Sequence, residues 1–116
     1  MSLGTDTLYS AYCDSDYIIG ANLTGAINDA IAKNISVVAA TGNEDNKNSI
    51  AAPACIQNTT AVAWSNKDDT ADGRSNSNSI TDLIAPGGSI NSTFSKSLAG
   101  CSVNGIYMIC SGTSMA

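Results

Sequence analysis

No histidine occurs anywhere in the 116 residues, and that one absence narrows the chemistry. Imidazole is the side chain that ordinarily titrates near neutral pH, so the chain carries no base of the usual kind for a serine or cysteine nucleophile. A mixed Cys/His zinc site is excluded with it. The four cysteines (Cys13, Cys55, Cys101 and Cys110) also lack the CxxC spacing of an all-cysteine site. Basic residues are few: Lys33, Lys47, Lys67, Arg74 and Lys96, scattered along the chain. No basic stripe exists to neutralise phosphates, which argues against nucleic acid as a partner. No apolar run reaches the length that spans a bilayer, so no membrane partner is expected. No internal repeat is visible.

Charged residues make up 13% of the chain, hydrophobic residues 43%, and the net charge is −5. Solubility therefore leans on Asn, Ser and Thr. The length suits one small domain or part of a larger one. An even cysteine count in such a chain points to disulfides and an oxidising compartment. The alternative is four free thiols buried as small hydrophobes. Asp14 and Asp16 in "CDSD" can help hold a cation, but a lone carboxylate pair more often leads into a turn or helix, and calcium needs several more oxygens. The sequons at Asn22, Asn34, Asn58 and Asn91 are no evidence of glycosylation in a chain so rich in these residues.

The pattern along the chain predicts an α/β protein. Residues 5–18 read as loop. Leu23, Ala26, Ile27, Ala30 and Ile31 recur on one helical face, with Asn22 or Thr24 as cap and Asn34 as stop. "ISVVAAT", Ile35 to Thr41, reads as a strand buried on both faces. Helix followed closely by buried strand is half of a βαβ unit, so a parallel sheet flanked by helices is expected. Further strands are expected at Thr59–Ser65, Ile80–Gly88 (broken by Pro86) and Gly105–Gly112. Between them lie a polar surface loop over residues 66–79 and a turn-rich stretch, "FSKSLAGCSVNG".

Sites in parallel α/β folds lie at the carboxyl ends of strands. Two such ends carry candidate groups: Asn43 after "VVAATG" and Ser114 after "YMICSGT". A serine at a helix start presents its own unpaired N–H. That N–H and an asparagine amide from a neighbouring strand end can together cradle the oxyanion formed when serine attacks a carbonyl. Each motif alone is weak: Gly-x-Ser is usually a cap and Gly-Asn usually a turn.

Five segments in order carry more: "MSLG" (Met1–Gly4), "VVAATGNE" (Val37–Glu44), "AAPA" (Ala51–Ala54), "LIAPGGSINST" (Leu83–Thr93) and "GTSMA" (Gly112–Ala116). The sequence resembles the subtilases, the subtilisin-like serine peptidases, in the second half of their catalytic domain. The resemblance implies a three-layer α/β fold, incomplete here, with residues 1–116 forming part of one peptidase domain. It implies that Ser114 is the nucleophile and Asn43 the side-chain oxyanion donor. Ser2, Leu3 and Gly4 would pair with an extended substrate, as in strand addition. Ala40, Thr41 and Gly42 would form the wall of an open, apolar specificity slot with Glu44 near its rim. Pro53 falls where the family can carry a cis peptide.

Of the three possible cysteine pairings, the preferred one joins Cys13 to Cys55, loops that flank the pocket by family analogy, and Cys101 to Cys110. Closing the first loop is worth roughly 4 kcal/mol in the chain-entropy model.

The departure from the family is the missing base. Its order is Asp, His, Ser, and no aspartate here stands in the catalytic context. The expectation is a fragment of a secreted serine endopeptidase, inactive by itself, with a peptide or protein substrate and lacking the N-terminal part of its own domain. No cofactor or metal is expected; a structural calcium is not assignable. The competing readings are a peptide-binding pseudoenzyme and, behind it, a disulfide-stapled structural module.

Overall fold

The computed structural model describes residues 1–17, 19–93 and 100–116. Among the described residues, eight short strands and one helix follow in chain order. They are β1 (Leu8–Tyr9), α1 (Gly20–Ala32), β2 (Val38–Ala40), β3 (Ile50–Ala51), β4 (Thr60–Ser65), β5 (Leu83–Pro86), β6 (Ile90–Ser92), β7 (Ser102–Asn104) and β8 (Tyr107–Cys110).

The parallel sheet is β2-β4-β5, with β4 in the middle. Val38 pairs with Thr60, and Val62 with Leu83. Ala61, Val62, Ala63 and Trp64 of β4 are all buried, as a strand flanked on both sides requires. Strand β2 departs from the expectation of burial on both faces, for Val38 is 46% exposed while Ala39 and Ala40 are buried; Leu83 and Ile84 of β5 are more than half exposed. The ordered strand at residues 35–41 is also shorter than the apolar run, only Val38–Ala40.

The chain-terminal strand differs more. β8 is antiparallel, lying between β6 and β7 in a separate sheet. Ser114 consequently follows a hairpin strand and not a parallel one. After β8, Met115 N–H donates to Gly112 O at 3.1 Å, closing a single turn that carries Ser114.

Helix α1 packs Ile27, with Leu23 beside it, onto a core of Cys13, Ile19, Ala39, Ile50, Ala52, Ala54, Cys55, Ile56 and Ala61. Asn22 and Thr24 lie within it and do not cap it; the N-cap position is Ile19, with no side-chain cap, and Asp16 Oδ1 accepts the Ile19 N–H at 3.2 Å. Asp14 Oδ2 accepts the Gln57 N–H at 3.1 Å, so both carboxylates of "CDSD" serve the backbone. The stop at Asn34 is as expected. Ile35 N–H reaches Ala30 O, Asn34 N–H reaches Ile31 O, and Asn34 has φ 59°, a Schellman ending.

Two disulfides, Cys13–Cys55 and Cys101–Cys110, match the preferred pairing. The peptide before Pro53 is cis. The N-terminal loop contains β1, which pairs antiparallel with β3; two residues are too few to show alternation in sequence. Of the turn-rich stretch, residues 94–99 lie outside the described residues.

Candidate active site

A cleft of about 130 Å³ collects the residues singled out above. Ser2, Leu3 and Gly4 line it, as do Ala40, Gly42, Asn43 and Ser114. The first residues are held beside β2, for the Ala40 N–H donates to Met1 O at 3.0 Å. Thr41 is the exception. It is fully buried and turned inward, its Oγ1 donating to Asn76 O at 2.8 Å.

The cleft is more polar than an apolar slot. Thr5, Asp6, Glu44 and Thr113 also line it, and among the described residues no lysine or arginine does. Small side chains at 40–42 leave room and Glu44 lines the cleft as expected, but Thr5 and Asp6 come from a loop whose direction the sequence did not reveal.

Asn43 and Ser114 are joined through Thr113. Asn43 Oδ1 accepts the Thr113 N–H at 2.9 Å and the Thr113 hydroxyl at 3.1 Å. The Thr113 oxygen in turn accepts the Gly42 N–H at 3.2 Å. A backbone N–H can only donate, so the end of the carboxamide facing Thr113 must be the oxygen. The amide Nδ2, with its two donors, is the free end. Asn43 and Ser114 are both exposed, and neither Nδ2 nor the Ser114 N–H has an acceptor among the described residues.

Beneath this turn lies Trp64, 2% exposed. A Cβ at Gly112, whose φ is +150°, would stand 3.2 Å from Asn43 Oδ1 and 3.4 Å from Trp64 Cζ3. Glycine there allows serine turn, asparagine and tryptophan to approach closely. Arg74 lies over the Trp64 ring, 4.7 Å from its centroid, a cation–π contact. Asp72 holds that guanidinium through Nε at 3.0 Å and Nη2 at 3.1 Å. The bonded Arg74 guanidinium brings the Asp72 pKa down to about 2.

Sequence reasoning missed two buried polar residues in the stretch read as surface loop, Ser75 and Asn76. Ser75 Oγ accepts the Trp64 N–H at 2.9 Å. A buried polar residue leaves no periodic trace in a polar run, so no sequence signal could have found them. Among the described residues no group of three or more His, Cys, Asp or Glu side chains could hold a metal.

Comparison with known proteins agrees with the geometry. A profile of the subtilase family (peptidase S8) matches residues 1–116. Proteinase T of Parengyodontium album is 33% identical over an alignment covering the whole chain and 40% of that protein. An intracellular serine protease of Paenibacillus polymyxa is 38% identical, covering 78% of the chain and 27% of that protein. Among solved structures, a cold-adapted subtilisin-like serine proteinase superposes with TM-score 0.68 and 31% identity, over 84% of this chain and 33% of that one. The prenylagaramide maturation protease PagA, at 23% identity and TM-score 0.75 over 99% of this chain and 38% of its own, shares the fold. The chain spans two fifths or less of the length of these curated relatives. On the family match over its full length, the chain belongs to the subtilase family.

Proposed function

We propose that residues 1–116 are the nucleophile and oxyanion part of a serine endopeptidase domain. The observation that carries this reading is the orientation of Asn43: its oxygen is committed to Thr113, which leaves Nδ2 as a donor in the cleft that Ser114 also lines. In the reaction, Ser114 Oγ attacks the substrate carbonyl carbon and its proton passes to a base. The carbonyl oxygen becomes an anion held by Asn43 Nδ2 and the Ser114 N–H. Collapse expels the amine, protonated by that same base, and leaves an acyl-enzyme that water then cleaves.

The chain has no histidine. The base, with the aspartate that orients it, therefore comes from polypeptide outside these 116 residues, which by themselves are inactive. Ser2, Leu3 and Gly4 line the same cleft and are the strand offered to an extended peptide. Both disulfides support secretion into an oxidising compartment. Lack of a histidine is also what favours the second reading, a peptide-binding protein that does not cleave.

The test uses the intact protein that contains this chain. Wild type is expected to hydrolyse a peptide substrate and to be labelled at Ser114 by a serine-directed phosphonate, and Ser114→Ala to lose both. Peptide binding without turnover or labelling would establish the second reading instead.

A further inference from the structure

Loop 41–46, which carries Asn43, is wrapped around one buried side chain from a distant segment. Asn76 is fully buried. Its Oδ1 accepts the N–H groups of Glu44 and Asn46, both at 3.0 Å. Its Nδ2 donates to Thr41 O at 3.2 Å and to the Glu44 carboxylate. Its backbone N–H donates to Gly42 O at 2.9 Å, and its carbonyl accepts the Thr41 hydroxyl at 2.8 Å. Thr41 and Gly42 before Asn43, and Glu44 and Asn46 after it, are thus tied to Asn76, the Asp45 N–H going to Arg74 O at 3.0 Å, while Asn43 itself is left to reach Thr113.

We propose that Asn76 is the positioning residue of the oxyanion donor: by fixing the backbone on both sides of Asn43 it sets where the Asn43 amide points. This rests on the reading of Asn43 given above. The chemistry at position 76 is restrictive. The site needs an oxygen that takes two N–H donors and a nitrogen that gives two protons, and a carboxamide has that complement and no more. Aspartate keeps the acceptor, loses both donors and sets a charge against the Glu44 carboxylate. Serine is too short and glutamine one methylene too long. The fit is also steric: Gly42 has φ +104°, and a Cβ there would lie 2.5 Å from Asn76 Nδ2. A turn built this tightly on one amide loses its shape when the amide goes. A misplacement of about 1 Å at a catalytic group costs on the order of 10²-fold in rate.

The experiment compares wild type, Asn76→Ala, Asn76→Asp, Asn43→Ala and the Asn43→Ala/Asn76→Ala double variant in the intact protein. The first readout is amide hydrogen exchange at Thr113, whose N–H is bonded to Asn43 Oδ1. The Ala61 amide in the central strand, bonded to Asp82, reports that the fold is kept. Asn76→Ala is expected to expose the Thr113 amide as fully as Asn43→Ala does, with Ala61 unchanged. Thr113 protection retained while the Glu44 and Asn46 amides open would overturn the proposal. If Asn76→Ala does not fold, Asn76→Asp decides by the same two amides.

The second readout is turnover per phosphonate-titrated site. Asn76→Ala is expected to lower kcat about 10²-fold with KM nearly unchanged, and the double variant to be no slower than Asn43→Ala alone. Multiplying losses would mean that Asn76 acts on stability and not through Asn43. If wild type turns nothing over, the peptidase reading fails, and the exchange at Thr113 still decides what Asn76 positions.

Discussion

The Asn43 carboxamide oxygen accepts the Thr113 backbone N–H at 2.9 Å across 70 residues of chain. The bond links the loop after β2 to the turn that presents Ser114, and it decides which end of the amide faces the cleft. Its donor residue, Thr113, is 3% exposed. The sequence places both residues at strand ends; only the fold makes one the orienting group of the other.

Replacing Asn43 with aspartate keeps the shape and the oxygen that Thr113 needs but removes the two donors. On the proposed role of Asn43, this change in the intact protein is expected to lower kcat by about 10²–10³, a magnitude known for the oxyanion asparagine of one family member. KM and the thermal midpoint should change little. Steady-state kinetics and a melt measure both. A variant that keeps full turnover would remove Asn43 from the oxyanion site.

Gly87 is a separate point of close approach. A Cβ there would sit 2.6 Å from Gly112 O and 2.8 Å from Trp64 Cβ. Backbone and a buried side chain cannot yield as a surface lysine would. Gly87→Ala is expected to destabilise by about 1–3 kcal/mol and to shift the Ser114 turn, because Gly87 O also accepts the Gly112 N–H. Urea unfolding followed by Trp64 fluorescence gives the energy. A change within error of zero would show that the segment 86–88 moves freely, contrary to this packing.

Local pattern revealed what is periodic or punctuated. The face of α1, its stop at Asn34 and the buried run of β4 could each be read from spacing and residue type. The segments 1–4, 37–44 and 112–116 could be read as motifs. The antiparallel setting of β8 could not, since Tyr107–Cys110 is equally apolar in either direction of pairing. Nor could Asn76, whose importance is a matter of which carbonyls and N–H groups converge on it. Glu44 at the rim was legible through its motif, but Asp6, which reaches the cleft from a loop, was not.

The two disulfides should differ in worth. Cys13–Cys55 closes a separation of 42 residues and Cys101–Cys110 one of 9. Chain entropy assigns roughly 4 kcal/mol to the first and roughly 3 kcal/mol to the second. The first also lies in the core, where Cys13 N–H donates to Cys55 O at 3.0 Å. Cys13→Ala/Cys55→Ala is therefore expected to lower stability more than Cys101→Ala/Cys110→Ala in denaturant titrations. The reverse order would place the stabilising constraint in the hairpin beside Ser114.

Asp72 supplies a dependence on pH. Its carboxylate is bonded to Arg74, and its pKa falls from the usual 3.8 to about 2. A depressed folded-state value means that the ionised form is favoured by folding. The stabilisation is complete above about pH 4 and disappears as pH falls towards 2. Asp72→Asn should thus unfold at lower denaturant than wild type near neutral pH. The gap should hold down to about pH 4 and then close by about pH 2. Trp64 provides the signal, since Arg74 lies 4.7 Å from its ring and loses its anchor in the variant. A gap of constant size through this acid range would mean that Asp72 contributes through shape alone and that its charge does not hold Arg74 over the ring.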